Sequence, residues 1–212
     1  MHRFFPTPKS RKAVPDACFL VSECGQAILE FAIALPVLVV FVVGIFDFSG
    51  ALNVKQKIEQ AAHEGAVLAA AQPMGDIQPA DTNPDSLQPV VAAIFNSLAG
   101  SQVLVNANSG TCRPPTAPSS QNVLKWNYSI LGCSNNPTTT SLGCHGDNSD
   151  TVWIEINRGW RPPGNTQTVG TSLTVSYDYD WRFNSVIQLL LPGAGYAART
   201  CITETAKVYN QT

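Results

Sequence analysis

Gly25-Gln26-Ala27-Ile28-Leu29-Glu30-Phe31 is the stretch on which the reading of this chain turns. It sets one carboxylate a few residues into an apolar run, directly after a glycine. The run goes on through residues 32–46 with no further charge, and Asp47 closes it. A hydrophobic stretch of that length can cross a bilayer. An acid near the start of such a helix is expensive and points to a function. Gly25 interrupts the apolar pattern and offers a peptide bond at the membrane edge.

The flanks set an orientation. Arg3, Lys9, Arg11 and Lys12 precede the run, whereas Lys55 and Lys57 on the far side are diluted by Glu59 and Glu64. The positive-inside rule keeps the N-terminus in the cytoplasm and exports the remainder. Other leaders fit less well. A lipoprotein signal needs a small residue before its cysteine, but Glu23 precedes Cys24 and the apolar run follows it. An ordinary secretory signal, with Ser49-Gly50-Ala51 as its cleavage site, would carry an overlong apolar region containing Glu30, with Asp47 beside the cut.

A short basic leader, then Gly, then Glu five residues on, then an aromatic and an apolar helix resembles a type IV prepilin. The form Gly-Gln-Ala-Ile-Leu-Glu-Phe, with Pro36 inside the run, is closer to the TadE-like pseudopilins of tight-adherence (Flp) pilus systems. The likeness is specific over residues 23–71. Beyond that, only Leu173-Thr174-Val175-Ser176-Tyr177 resembles the family's C-terminal half. Phe31 stands where the principal pilins carry Tyr. The resemblance implies that a membrane prepilin peptidase cuts between Gly25 and Gln26, which makes Glu30 the fifth residue of the mature chain. It also implies partners: other pilin or pseudopilin subunits and an inner-membrane assembly platform. Removing residues 1–25 leaves 9 Lys/Arg against 13 Asp/Glu.

The apolar pattern continues past the membrane. Over 53–71, Val54, Ile58, Ala61, Ala62, Gly65 and Leu68 recur at helical spacing, with Lys55, Lys57, Glu59 and Glu64 off that stripe. Gln72-Pro73 ends the helix. The small residues on the stripe favour close approach, either to the chain's own domain or to a neighbouring helix. Residues 74–89 read as a linker. A short helix is expected over 87–98, with Asp85 or Ser86 as its cap and Gly100 after it. Strands are expected over 102–107, 122–130, 151–157 and 172–179, with a final one over 198–209 and a short apolar segment over 186–191. In 172–179, Leu173, Val175, Tyr177 and Tyr179 share one face. Thr174, Ser176, Asp178 and Asp180 share the other.

Charged residues make up only 13% of the 212, and Gly and Pro number 15 each, a composition that suits an exported, loop-rich domain. The net charge of −2 gives no field for nucleic acid. Cys112, Cys133, Cys144 and Cys201 all follow the run. An even number there fits two disulfides in an oxidising compartment, with three pairings open. Zinc is the weaker alternative, since Cys144-His145 are adjacent but no C-x2-C pair exists.

No phosphate loop, dinucleotide fingerprint, H-E-x-x-H or G-x-S-x-G occurs. The three histidines are scattered, and Asp178 and Asp180 read as a solvated strand face. Trp126, Trp153, Trp160 and Trp181 read as core more than as a glycan platform. Residues 158–163 (RGWRPP) read as an exposed contact loop. The expected fold class is therefore α+β: a long N-terminal helix, membrane-spanning in its first half, then a small, mainly antiparallel sheet with disulfide-stapled loops. Three parts follow. Residues 1–25 are a cleaved leader, 26–72 the helix with its span at about 27–48, and 73–212 the exported head. The expected function is structural and non-enzymatic, that of a minor pseudopilin or assembly subunit held in the inner membrane. No cofactor, metal or catalytic residue is expected. The competing readings are a single-pass anchored binding or sensor domain and a secreted adhesin-like domain.

Overall fold

A computed structural model describes residues 19–77, 83–110, 112–133, 144, 150–164, 167–181 and 199–211. Helix α1 runs over Phe19–Ala71, a 3-10 turn over Asp85–Leu87 and helix α2 over Gln88–Gly100. Five strands follow: β1 Ser120–Asn122, β2 Lys125–Leu131, β3 Asp150–Trp160, β4 Gly170–Asp180 and β5 Arg199–Tyr209. They pair antiparallel in chain order, β1-β2-β3-β4-β5, as one sheet. The chain divides into two compact units, Met1–Val43 and Gly44–Thr212.

In the first unit the described side chains are almost all exposed, including Ile28, Leu29, Phe31, Ile33, Leu38 and Phe41. A helix apolar all round is suited to lipid or to a core, and here none of the described residues of the unit covers it. Among the described residues, α1 is the one helix long and apolar enough to cross a membrane. It begins at Phe19, ahead of the expected start at residue 26. Gly25 disfavours helix by only about 1 kcal/mol relative to Ala, too little to stop it. Pro36 lies inside α1 and does not end it.

The second unit is the head. Here the stripe of α1 is buried: Ile58, Ala61, Ala62, Ala66, Ala69 and Ala70 are essentially inaccessible. A Cβ on Gly65 would lie 2.7 Å from Ile94 of α2 and 3.1 Å from Leu173 of β4. The small residues therefore serve approach to the chain's own α2 and sheet. The sheet's inner face supplies Trp126, Tyr128 and Ile130 from β2, Val152, Ile154 and Ile156 from β3, and Leu173 and Val175 from β4. Parity along each strand puts these on one side, as period-two geometry requires. The outer side is polar, with Thr174 bonded to Thr205 at 2.8 Å and Thr203 donating to Ser176 at 3.0 Å.

Several sequence expectations are corrected. Residues 102–107 form turns, because the N–H groups of Gln102, Val103 and Leu104 fold back onto Ala99 and Leu98 carbonyls at the end of α2. Gln102 takes φ 59°, and Val103 and Leu104 are both buried, which alternation forbids. Residues 122–130 are not one strand. A turn at Val123-Leu124, with Leu124 at φ 57°, separates β1 from β2. Neither Asp85 nor Ser86 caps α2. Leu87 occupies the cap position, Pro89 sits in the first turn, and the Ser86 N–H donates to Asp76 at 2.8 Å. Gly100 is the last residue of α2. The 186–191 segment lies outside the described residues.

Candidate functional site

Gln26, Glu30 and Phe31 are all exposed on α1, and the backbone at Gly25 is helical. The Gln26 amide donates to the Glu30 carboxylate at 3.3 Å. One helical turn separates the two, so they share a face, and the carboxylate lies about 6 Å further along the axis. What the arrangement offers is a single anionic group in an exposed apolar run that carries no other charge over residues 25–46, beside the residue that a cut after Gly25 would leave as the N-terminus.

The four cysteines of the head are joined in pairs. Cys112 bonds Cys133, fastening the segment after α2 to the end of β2, and Cys144 bonds Cys201 of β5. Closing loops of 21 and 57 residues restricts the unfolded chain by roughly 3–4 kcal/mol each. Asp178 accepts the Cys144 N–H at 2.7 Å. Polar atoms of Cys144, Asp178 and Cys201 gather within 4.8 Å, but the two sulfurs are spent on one another and are not thiolate ligands.

Three features carry no local motif. Arg158 is fully buried on β3, so residues 158–160 are strand and not an exposed loop. Its guanidinium donates to the carbonyls of Ala69 and, at 2.9 Å, of Gln72, and lies 2.8 Å from the Met74 sulfur. A cation thus meets the unsatisfied carbonyls at the C-terminal end of α1. Burial lowers the Arg158 pKa, and the nearby Asp76 charge opposes that. Burial works to raise Asp76, but hydrogen bonds from Ser86 and the Arg158 charge leave it below the ordinary aspartate value. A second contact ties Tyr179 of β4 to Asp47, with O–H to Oδ1 at 3.2 Å and to the carbonyl at 3.3 Å. The third is Lys57, which donates to the Ser101 carbonyl at 2.8 Å, just past α2. Parity was the available signal for two of these. Arg158 continues the inner-face series Val152, Ile154, Ile156, and Tyr179 continues Leu173, Val175, Tyr177.

Residues 25–67 match the TadE-like protein family. The TadE-like segment opens at Gly25, takes in Gln26, Glu30, Phe31 and the apolar run, and closes at Val67 within the buried stripe of α1. The sheet and both disulfides lie outside it. The family is pilus-associated, which suggests a pilus-related structural protein, and among the described residues α1 is the one candidate membrane anchor. No curated protein and no solved structure matches the chain.

Tyr177 yields a test of the head. Burial, with Asp180, Tyr179 and Asp178 around it, pushes its phenol up to about 12. The unfolded chain then loses this proton first, so the stabilisation is complete below about pH 10 and falls as pH rises toward 12. Urea midpoints measured across that window should drop with pH in the native chain and drop less in Tyr177→Phe. Parallel slopes would show that other groups govern alkaline unfolding.

Proposed function

We propose that this chain is a processed pseudopilin, a structural minor subunit or assembly factor of a tight-adherence pilus or a related secretion machine. The observation that carries this is the coincidence of the TadE-like match with a Gly-x4-Glu motif at the mouth of an uncovered apolar helix. The parts are residues 1–25 as leader, 26–72 as helix and 73–212 as head. A membrane prepilin peptidase cuts between Gly25 and Gln26. The leader's cations hold the N-terminus in the cytoplasm, and the head stands on the far side of the inner membrane, where its paired cysteines suit an oxidising compartment. There the helix waits in lipid until an assembly platform moves it laterally against other pilin or pseudopilin helices. Apolar faces then exchange lipid for one another. Glu30 and Phe31 are the recognition residues for that step.

N-terminal sequencing of the chain purified from cells containing the peptidase is expected to begin at Gln26, with pilus components in the same preparation. A start at Leu52 would mean removal of an ordinary signal peptide. An intact N-terminus would leave a plain anchor for a binding or sensor domain.

A further inference from the structure

The two disulfides of the head differ in what surrounds their sulfurs. Cys112 and Cys133 belong to the core, at 0% and 1% exposure, packed among the residues of α2 and the inner face of the sheet. Cys201 is exposed and Cys144 half-buried. Strand parity explains the contrast. Cys201 falls on the outer side of β5 with Thr203 and Thr205, while Ile202, Ala206 and Val208 pack against the core. A disulfide is opened by a thiolate that must reach one of its sulfurs. An exposed bridge therefore exchanges in the folded protein, whereas a core bridge waits for the core to open.

Opening the outer bridge leaves its supports in place. β5 is paired to β4 along its whole length, from Gly170↔Tyr209 to Asp180↔Arg199, so Cys201 stays on the sheet without help from Cys144. The Cys144 N–H has a bond of its own, 2.7 Å to the Asp178 carboxylate, and Asp178 is the residue opposite Cys201. The two released thiols are thus held side by side, and the bridge can close again.

We propose that Cys144–Cys201 is an exchange site for a dithiol oxidoreductase of the C-x-x-C class, and that Cys112–Cys133 is a permanent bridge. The oxidoreductase's first thiolate attacks Cys201 Sγ, the accessible sulfur. The bond between Cys144 and Cys201 breaks, and Cys144 departs with the electron pair and takes up a proton. The oxidoreductase's second thiol gives up its proton and attacks the first sulfur in the mixed disulfide, and Cys201 departs as a thiol. The two electrons and two protons of the dithiol end on Cys144 and Cys201, and the oxidoreductase is left as a disulfide. The same steps in reverse let an oxidised partner form the bridge. None of this depends on cleavage after Gly25 or on a place in a pilus.

The test uses the purified full chain in detergent, with any thiol already free blocked by N-ethylmaleimide. Reduced thioredoxin, or dithiothreitol at the same dithiol concentration, is added while circular dichroism reports a native head. New thiols are trapped with iodoacetamide at early times and mapped by mass spectrometry. Cys144 and Cys201 should label together, about a hundredfold or more faster than Cys112 and Cys133, which should label only once urea opens the core. Thioredoxin should outpace dithiothreitol. Equal initial rates at the two bridges, or no labelling of Cys144 and Cys201 before urea, would overturn the proposal. Opening by dithiothreitol but not by thioredoxin would overturn it as well, since a bridge reached only by a small reagent is no site for an oxidoreductase.

Discussion

Replacing Arg158 with leucine should lower the unfolding free energy of the head by about 3 kcal/mol, the scale of removing one partner of a buried charge-assisted network. Leucine packs acceptably against Ile156 and the alanines of α1, so the loss is not one of apolar area. It comes from the Ala69 and Gln72 carbonyls, which lose their donors at the end of α1 while still enclosed by β3. Part of the loss falls on Asp76, whose charge has Arg158 as a favourable neighbour. For a unit of this size the melting temperature should fall by roughly 6–12 °C. Arg158→Lys keeps the charge but gives up the fork that spans two carbonyls, so it should fall between wild type and leucine. The exposed Arg161→Ala should change little. Thermal unfolding of the detergent-solubilised chain, followed by circular dichroism, checks the order. A leucine variant as stable as wild type would mean that water or another donor reaches the end of α1.

That contact also marks where sequence reading stops. The end of α1 at Ala71 was legible, because Gln72-Pro73 follows a helical stripe, and β4 was legible from the alternation of Leu173, Val175, Tyr177 and Tyr179. Both signals are local. The 102–107 segment has a local pattern that favours strand, yet its N–H groups are claimed by the end of α2, a partner that residue spacing does not reveal. The turn at Val123-Leu124 carries none of the Asn-Gly or Asp-Gly chemistry that marks a hairpin, and Leu124 adopts positive φ under tertiary constraint. Cysteine pairing was open for the same reason. Spacing leaves three connectivities, and only the register of β5 against β4 puts Cys201 opposite Asp178, where Cys144 is held. The membrane motif was the most legible part. Gly25 and Glu30 stand out because a charge in an apolar helix and a glycine at its mouth run against local expectation. Arg158 was overlooked because a lone arginine before Gly-Trp-Arg-Pro-Pro resembles a loop until its parity with Ile156 is counted.

Substituting Glu30 should abolish most assembly while leaving insertion and cleavage largely intact. Once the chain starts at Gln26, its new α-amine is positive and lies one turn from the Glu30 carboxylate on the same face. Pairing within one chain competes with water at the membrane edge and yields little. Among bundled helices water is excluded, and an unpaired carboxylate there is costly, roughly 2.5–3.5 kcal/mol even on the lenient insertion scale for Asp at mid-span. On the proposed reading, an incoming subunit that offers its own Gln26 amine would remove that cost and set the axial register between neighbours. Glu30→Gln keeps shape and hydrogen bonding but has no charge to attract the amine, and Glu30→Leu makes insertion easier still. Both should therefore be cut after Gly25 and recovered from the membrane, yet lose about tenfold or more in subunit–subunit crosslinks, the loss expected when at least 1.4 kcal/mol per contact disappears. Raising salt should not mimic the defect, because a pair shut away from water is screened little. Wild-type crosslinking in both variants would leave Glu30 as a tolerated interfacial acid and would place the register of the assembly elsewhere on α1.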